Sequence, residues 1–127
     1  MSIPVIYSII ESSSHPDFSQ LYAELKLHVM QFRQMRRAMA ELKRTSPDYV
    51  VAEFFYGYAN NYAGVNISNL DVLLFSLQRY APQAKVIVLV EKSEHKYVQQ
   101  LNGIFPVRAV LTQPVQAEDL RTLFSAL

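Results

Sequence analysis

SHPDFSQLYAELKLHVMQFRQMRRAMAELKRTS, residues 14–46, is the stretch on which the fold turns. Written at spacings of three and four, Phe18, Leu21, Leu25, His28, Phe32, Met35, Met39 and Leu42 fall in one line in which only His28 is polar. That is the signature of an apolar helical stripe. Ser14 with Asp17 three residues on matches a capping box, Pro16 suits a first helical turn, and Pro47 closes the run. The spacing predicts one continuous helix over 15–46, a rod of roughly 44 Å. A strand of ordinary length spans about half of that. Part of the stripe is therefore expected to need a second surface.

On either side of this stretch the chain alternates. Ile3–Ile10 is rich in β-branched and aromatic residues and reads as a strand buried on both faces, as do Tyr49–Phe55, Lys85–Val90 and Val107–Leu111. Between and after them, Asn69–Tyr80 carries Leu70, Leu73, Leu74 and Leu77 at helical spacing, capped by Ser68 with Asp71. Glu94–Leu101 predicts a short helix ended by Gly103, and Ala117–Ala126 a last one. The order β-α-β-α-β-α-β-α predicts a single α/β domain over 1–127. Its expected architecture is an open, four-stranded parallel sheet with right-handed crossovers.

Composition excludes several chemistries. With 127 residues the chain suffices for one core, and having no cysteine it offers no thiolate nucleophile, cysteine zinc site or disulfide. A reducing, cytoplasmic setting is the expectation. The start of the chain lacks the basic leader and small-residue cleavage pattern of a signal peptide, and the longest apolar run, Val86–Val90, is far short of a membrane span. No membrane association is expected. Net charge is only +1, yet Lys26, Arg33, Arg36, Arg37, Lys43 and Arg44 place six of the twelve basic residues on the 14–46 stretch. A solvated outer helix face is the plain reading. The lack of interleaved exposed aromatics argues against nucleic acid as the partner. His15, His28 and His95 are too widely placed for a metal cluster, and no cofactor fingerprint follows the first strand, where Glu11-Ser12-Ser13-Ser14 contains no glycine.

From Asp48 to the end, residues 48–127, the chain resembles a response-regulator receiver domain, a CheY-like, flavodoxin-like fold. Asp48-Tyr49-Val50-Val51-Ala52-Glu53 is similar to the receiver strand that ends in the phosphorylated aspartate, and Leu111-Thr112-Gln113-Pro114 resembles the family's Lys-Pro turn. The resemblance implies a degenerate phosphoacceptor pocket. Glu53 stands at the acceptor position, with a side chain one methylene too long for near-attack geometry. Gln113 stands at the position of the phosphoryl-stabilising lysine and removes a cation. Val90 falls at or beside the switch hydroxyl, and Glu11 is the one plausible survivor of the magnesium-binding acidic pair. Two carboxylates are thin for Mg²⁺, so neither metal nor catalytic residues are expected. The first 47 residues depart from the family: one long helix takes the place of helix, strand and helix, and the second strand is missing. Ile3–Ile10 would then be a bare apolar edge. That edge and the overlong stripe together lead to the expectation of a homodimer, with the eight stripe residues as its seam.

The remaining landmark is Tyr56–Asn66, with three tyrosines, three asparagines, two glycines and no charge. It is longer than a usual strand-to-helix connection. Tyr56, Tyr58, Asn60, Asn61 and Tyr62 are candidate interaction residues. Ligands of open parallel sheets bind at the carboxyl ends of strands, which gathers Glu11, Ser12, Glu53, Tyr56 and Gln113 in one expected crevice. A buried Glu53 there is a candidate for acid-base work or for a hydrogen bond with Gln113. The leading functional expectation is a non-catalytic pseudo-receiver: a homodimeric interaction or regulatory component in signalling with an unknown protein partner. The alternative is a small-molecule or nucleotide-binding domain using the crevice.

Overall fold

The computed structural model describes residues 3–13, 15–57 and 67–127. Its elements run β1 (Val5–Ile9), α1 (Ser19–Glu24), β2 (His28–Phe32), α2 (Met35–Glu41), β3 (Tyr49–Glu53), α3 (Asp71–Tyr80), β4 (Lys85–Val90), a 3₁₀ helix (Lys92–Gly103), β5 (Val107–Thr112) and α4 (Ala117–Ala126). Among the described residues the five strands pair in parallel and lie in the order β2-β1-β3-β4-β5. The switch in strand order lies at β1 and β3, which sets the crevice beyond their carboxyl ends.

The alternation of side chains along buried strands separates two cores. Tyr7, Ile9, Val50, Ala52, Val86, Val88 and Val90 face α2, α3 and the 3₁₀ helix, meeting Ala38, Leu42, Leu73, Leu74, Leu77 and Leu101. Ile6, Val51, Ile87 and Leu89 face α1 and α4, meeting Leu21, Tyr22 and Leu120. Arg121 of α4 reaches Glu24 of α1 at 3.2 Å across that second layer.

The single helix expected over 15–46 is absent. In its place are α1, β2 and α2, so the sheet has five strands rather than four and the second strand is present. α1 stops because Lys26 takes a left-handed backbone, φ 63°, which breaks the helical ladder. After Leu27, the five residues His28–Phe32 pair with β1 from Val5↔His28 to Ile9↔Phe32. β1 is therefore an interior strand, not a bare edge. The stripe divides between the layers: Phe18, Leu21 and Leu25 join the α1–α4 core, whereas Phe32, Met35, Met39 and Leu42 join the α2–α3 core. His28 is exposed on the edge strand. The spacing of three and four was satisfied by accident across two short helices and a strand, and the unsatisfied seam that called for a second copy does not exist.

Smaller adjustments have local causes. The helix expected over Asn69–Tyr80 begins at Asp71, because Asn69 and Ser68 are held in the preceding turn. Ser68 N–H and Ile67 N–H donate to the Asp71 carboxylate at 2.8 and 2.6 Å. The helix expected over Glu94–Leu101 is the longer 3₁₀ segment Lys92–Gly103. Asp17, expected to close a box with Ser14, instead accepts the Ser19 N–H at 2.9 Å at the start of α1, and Ser14 lies outside the described residues. No helix among the described residues is long and apolar enough to cross a membrane.

Candidate functional site at the strand ends

Three strands end together where the crevice is expected. β3 ends in Glu53, which pairs with Leu89, and β4 ends in Val90, which pairs with Thr112 one residue before Gln113. The Gln113 N–H donates to the Val90 carbonyl at 2.8 Å, and the Gln113–Pro114 peptide is cis. Glu53, Glu11, Val90 and Gln113 are thus brought to one end of the sheet, as their sequence positions imply.

Glu53 is the key to this end of the molecule. Only 3 % of it is exposed. Its Oε1 accepts the main-chain N–H groups of Glu11 at 2.8 Å and Ser12 at 2.9 Å. Hydrogen bonds to an ionised acceptor are roughly twice as strong as neutral ones, so the carboxylate ties the turn after β1 to the end of β3. The expected hydrogen bond with Gln113 is replaced by this pair of amides. The glutamate side chain thus crosses from β3 to the turn after β1.

The Glu53 backbone is held in turn by Asn69. The Asn69 side chain donates from Nδ2 to the Glu53 carbonyl at 2.9 Å and accepts the Phe55 N–H at 2.7 Å through Oδ1. Beyond it the Tyr56 N–H donates to Glu94 Oε1 at 3.0 Å and the Gly57 N–H to the Ile67 carbonyl at 2.8 Å. Gly57 has φ 64°, a conformation that favours glycine. The Tyr56 ring stacks on Tyr97 with centroids 3.7 Å apart. Tyr56 therefore leaves the crevice for the 3₁₀ helix, while Tyr58, Asn60, Asn61 and Tyr62 lie outside the described residues.

A cavity of about 260 Å³ opens beside Glu53, lined by Ser12, His15, Pro16, Glu91, Gln113, Pro114 and Val115. His15 and Glu91 were not assigned to it from the sequence. Glu91 follows β4 directly, so the rule of carboxyl strand ends was the available signal. His15, just before α1, turns Nδ1 to the Pro16 carbonyl at 2.8 Å. The receiver fold implies a magnesium ion at this end of the sheet, and the residues do not fit one. Among the described residues no three histidine or acidic side chains converge to hold a metal. In addition, one Glu53 oxygen is already committed to two amides.

Comparison with solved structures agrees with this geometry over nearly the whole chain. A response regulator from Thermotoga maritima superposes with a TM-score of 0.75 at 15 % identity, covering 98 % of this chain and 97 % of that one. A chemotaxis response regulator of Vibrio cholerae gives 0.75 at 14 % identity, covering 99 % and 100 %. A CheY-like receiver domain from Methanospirillum hungatei gives 0.73 at 11 % identity, covering 98 % and 93 %. The fold is that of receiver domains, and the likeness extends through residues 1–47 as well as 48–127. No family model matches the chain, and no curated protein matches it in sequence.

Proposed function

We propose that this chain is a pseudo-receiver: a signalling module that keeps the receiver fold, does not accept a phosphoryl group, and acts through protein contacts. The observation that carries the reading is the double hydrogen bond from the Glu11 and Ser12 amides to Glu53 Oε1. The group at the acceptor position is spent on holding the turn after β1. One of its two oxygens is paired with those amides, and Gln113 offers no cation to a developing oxyanion. On this reading the carboxylate contact holds the turn after β1 to the end of β3 without a reversible modification. The homodimer expected from an overlong helix loses that support in this fold, so the proposal is made for a single chain.

Incubation with acetyl phosphate and Mg²⁺, read by intact mass, tests the proposal. The unmodified mass is expected throughout, and a stoichiometric adduct lost in Glu53→Ala would overturn it. The cavity beside Glu53 favours a second reading, a small-molecule site. A ligand present at one hundred times its dissociation constant would add roughly 2.7 kcal/mol of stability, so a metabolite panel read by thermal shift separates the two.

A further inference from the structure

The long basic stretch of the sequence retains a role even though it is not one helix. α2 and α3 are neighbours in one layer, and the loop after α2 reaches the end of α3 through Ser46 Oγ, which donates to the Tyr80 carbonyl at 2.7 Å. On the solvent crest of α3, Val72 and Phe75 are 61 % and 57 % exposed, an i, i+3 pair on one face of the helix. Arg79, a further turn along, is exposed on the same face with its guanidinium 5.4 Å from the Tyr80 ring centroid. On α2 and the turn after it, Arg36, Arg37 and Lys43 are exposed and none pairs with a carboxylate among the described residues.

The carboxylates of α2 and α3 themselves are already engaged. Glu41 is the one carboxylate in residues 33–46, and it serves Arg44 at 3.0 Å and the Thr45 hydroxyl at 2.8 Å. Asp71, the one carboxylate of α3, is buried and holds the turn before that helix. The two helices therefore present a short apolar crest on α3 and, on α2 and the turn after it, cations with no carboxylate partner among the described residues.

We infer that the α2–α3 face is a docking surface for an acidic amphipathic helix of a partner protein, whose apolar stripe covers Val72 and Phe75 and whose Asp and Glu residues meet Arg36, Arg37, Lys43 and Arg79. The inference deepens the interaction-module reading by naming a surface and the partner's chemistry. Charge complementarity selects this occupant. A second copy of the chain would bring arginines against arginines across a two-fold axis, which is repulsive. Duplex DNA has no use for a phenylalanine and a valine at the centre of the contact. An anionic bilayer needs a broader apolar face than two side chains supply. A helix laid along a helix pair uses an i, i+3 apolar anchor with a charged rim.

The test is selection of helical peptides from a phage-displayed amphipathic library against the full chain. Enrichment of peptides with an apolar stripe flanked by Asp and Glu is expected. These peptides should lose at least tenfold in affinity for Val72→Ser/Phe75→Ser, weaken as salt rises, and recover on Arg36→Glu/Arg37→Glu when their carboxylates are exchanged for lysine. All substituted side chains are exposed, and circular dichroism of each variant is the check on its folding. Recovery of no peptide sensitive to these substitutions, or of peptides without an acidic bias, overturns the inference. So does tighter, equally sensitive binding to phosphatidylserine vesicles or to duplex DNA. The acetyl phosphate result is independent of every arm, so failure here leaves the pseudo-receiver reading to be judged on its own experiment.

Discussion

Replacing Glu53 should cost stability in an order set by reach as well as by charge. The carboxylate holds two amides at 2.8 and 2.9 Å from a site only 3 % exposed. Hydrogen bonds to charged groups contribute about 1.5–3 kcal/mol each. Glu53→Ala removes both, but the adjacent cavity admits water to the freed N–H groups, so a loss of about 2–4 kcal/mol is expected. Glu53→Gln keeps an accepting oxygen without the charge, and about 1–2 kcal/mol should go. Glu53→Asp keeps the charge but withdraws the oxygen by about 1.3 Å, beyond hydrogen-bond reach of both amides unless the turn moves. It should therefore be less stable than Glu53→Gln, even though it restores the residue a receiver carries. Urea unfolding followed by circular dichroism, with unchanged slope, gives the differences directly. For a domain of this size each kcal/mol moves the thermal midpoint by about 4 °C. An aspartate variant as stable as the wild type, or an alanine variant within 0.5 kcal/mol of it by the ordinary scatter of surface changes, would refute the bridging role.

Three further expectations test the fold around that site. Lys26→Gly should raise stability by up to about 1 kcal/mol, because glycine takes the left-handed backbone without a steric cost; inside a continuous helix the same change would cost about that much, so the sign of the urea midpoint shift decides. Burial, with a smaller contribution from the Asp17 charge, raises the Tyr22 phenol above its usual 10.0. Its stabilisation is complete below pH 10.0 and is lost as the pH climbs toward the higher folded value. Tyr22→Phe keeps the ring against Phe124, whose centroid lies 6.1 Å away, and should flatten the alkaline decline of the unfolding midpoint. The Ser19 main-chain N–H, then its hydroxyl, with the Gln31 amide adding less, hold the Asp17 carboxyl below its usual 3.8. That contribution is present above 3.8 and lost as the pH falls through the lowered folded value. Asp17→Asn should make the acid limb, scanned from about pH 5 to pH 2, shallower than in the wild type.

What the sequence disclosed follows from where each strand lies. Lys85–Val90 and Tyr49–Glu53 are interior strands, buried on both faces, and their unbroken apolar runs mark them. β2 is an edge strand with His28 and Gln31 exposed and Val29 as its one β-branched residue, so it carries little strand signal. The turn before it uses Lys26 where glycine or asparagine would have announced a break. Leu25, Phe32 and Met35 then continued a false helical line across it. At the site, Glu53, Gln113 and Val90 were placed by their positions at strand ends, a relation fixed by topology. The bridge from Glu53 to the Glu11 and Ser12 amides, and the clamp of Asn69 on its backbone, were not legible. They depend on how far a side chain reaches across neighbouring strands and turns, which no linear pattern records.

The most direct measurement is the amide spectrum of Glu11 and Ser12 in isotopically labelled protein, before and after addition of beryllofluoride and Mg²⁺, a phosphoryl mimic. With the Glu53 bridge already in place, both amides should exchange slowly with solvent in the free protein, keep their positions when the mimic is added, and lose protection in Glu53→Ala. Fast exchange of both amides in the free protein, or a shift and new protection on adding the mimic, would mean that this end of the sheet still switches and would contradict the account.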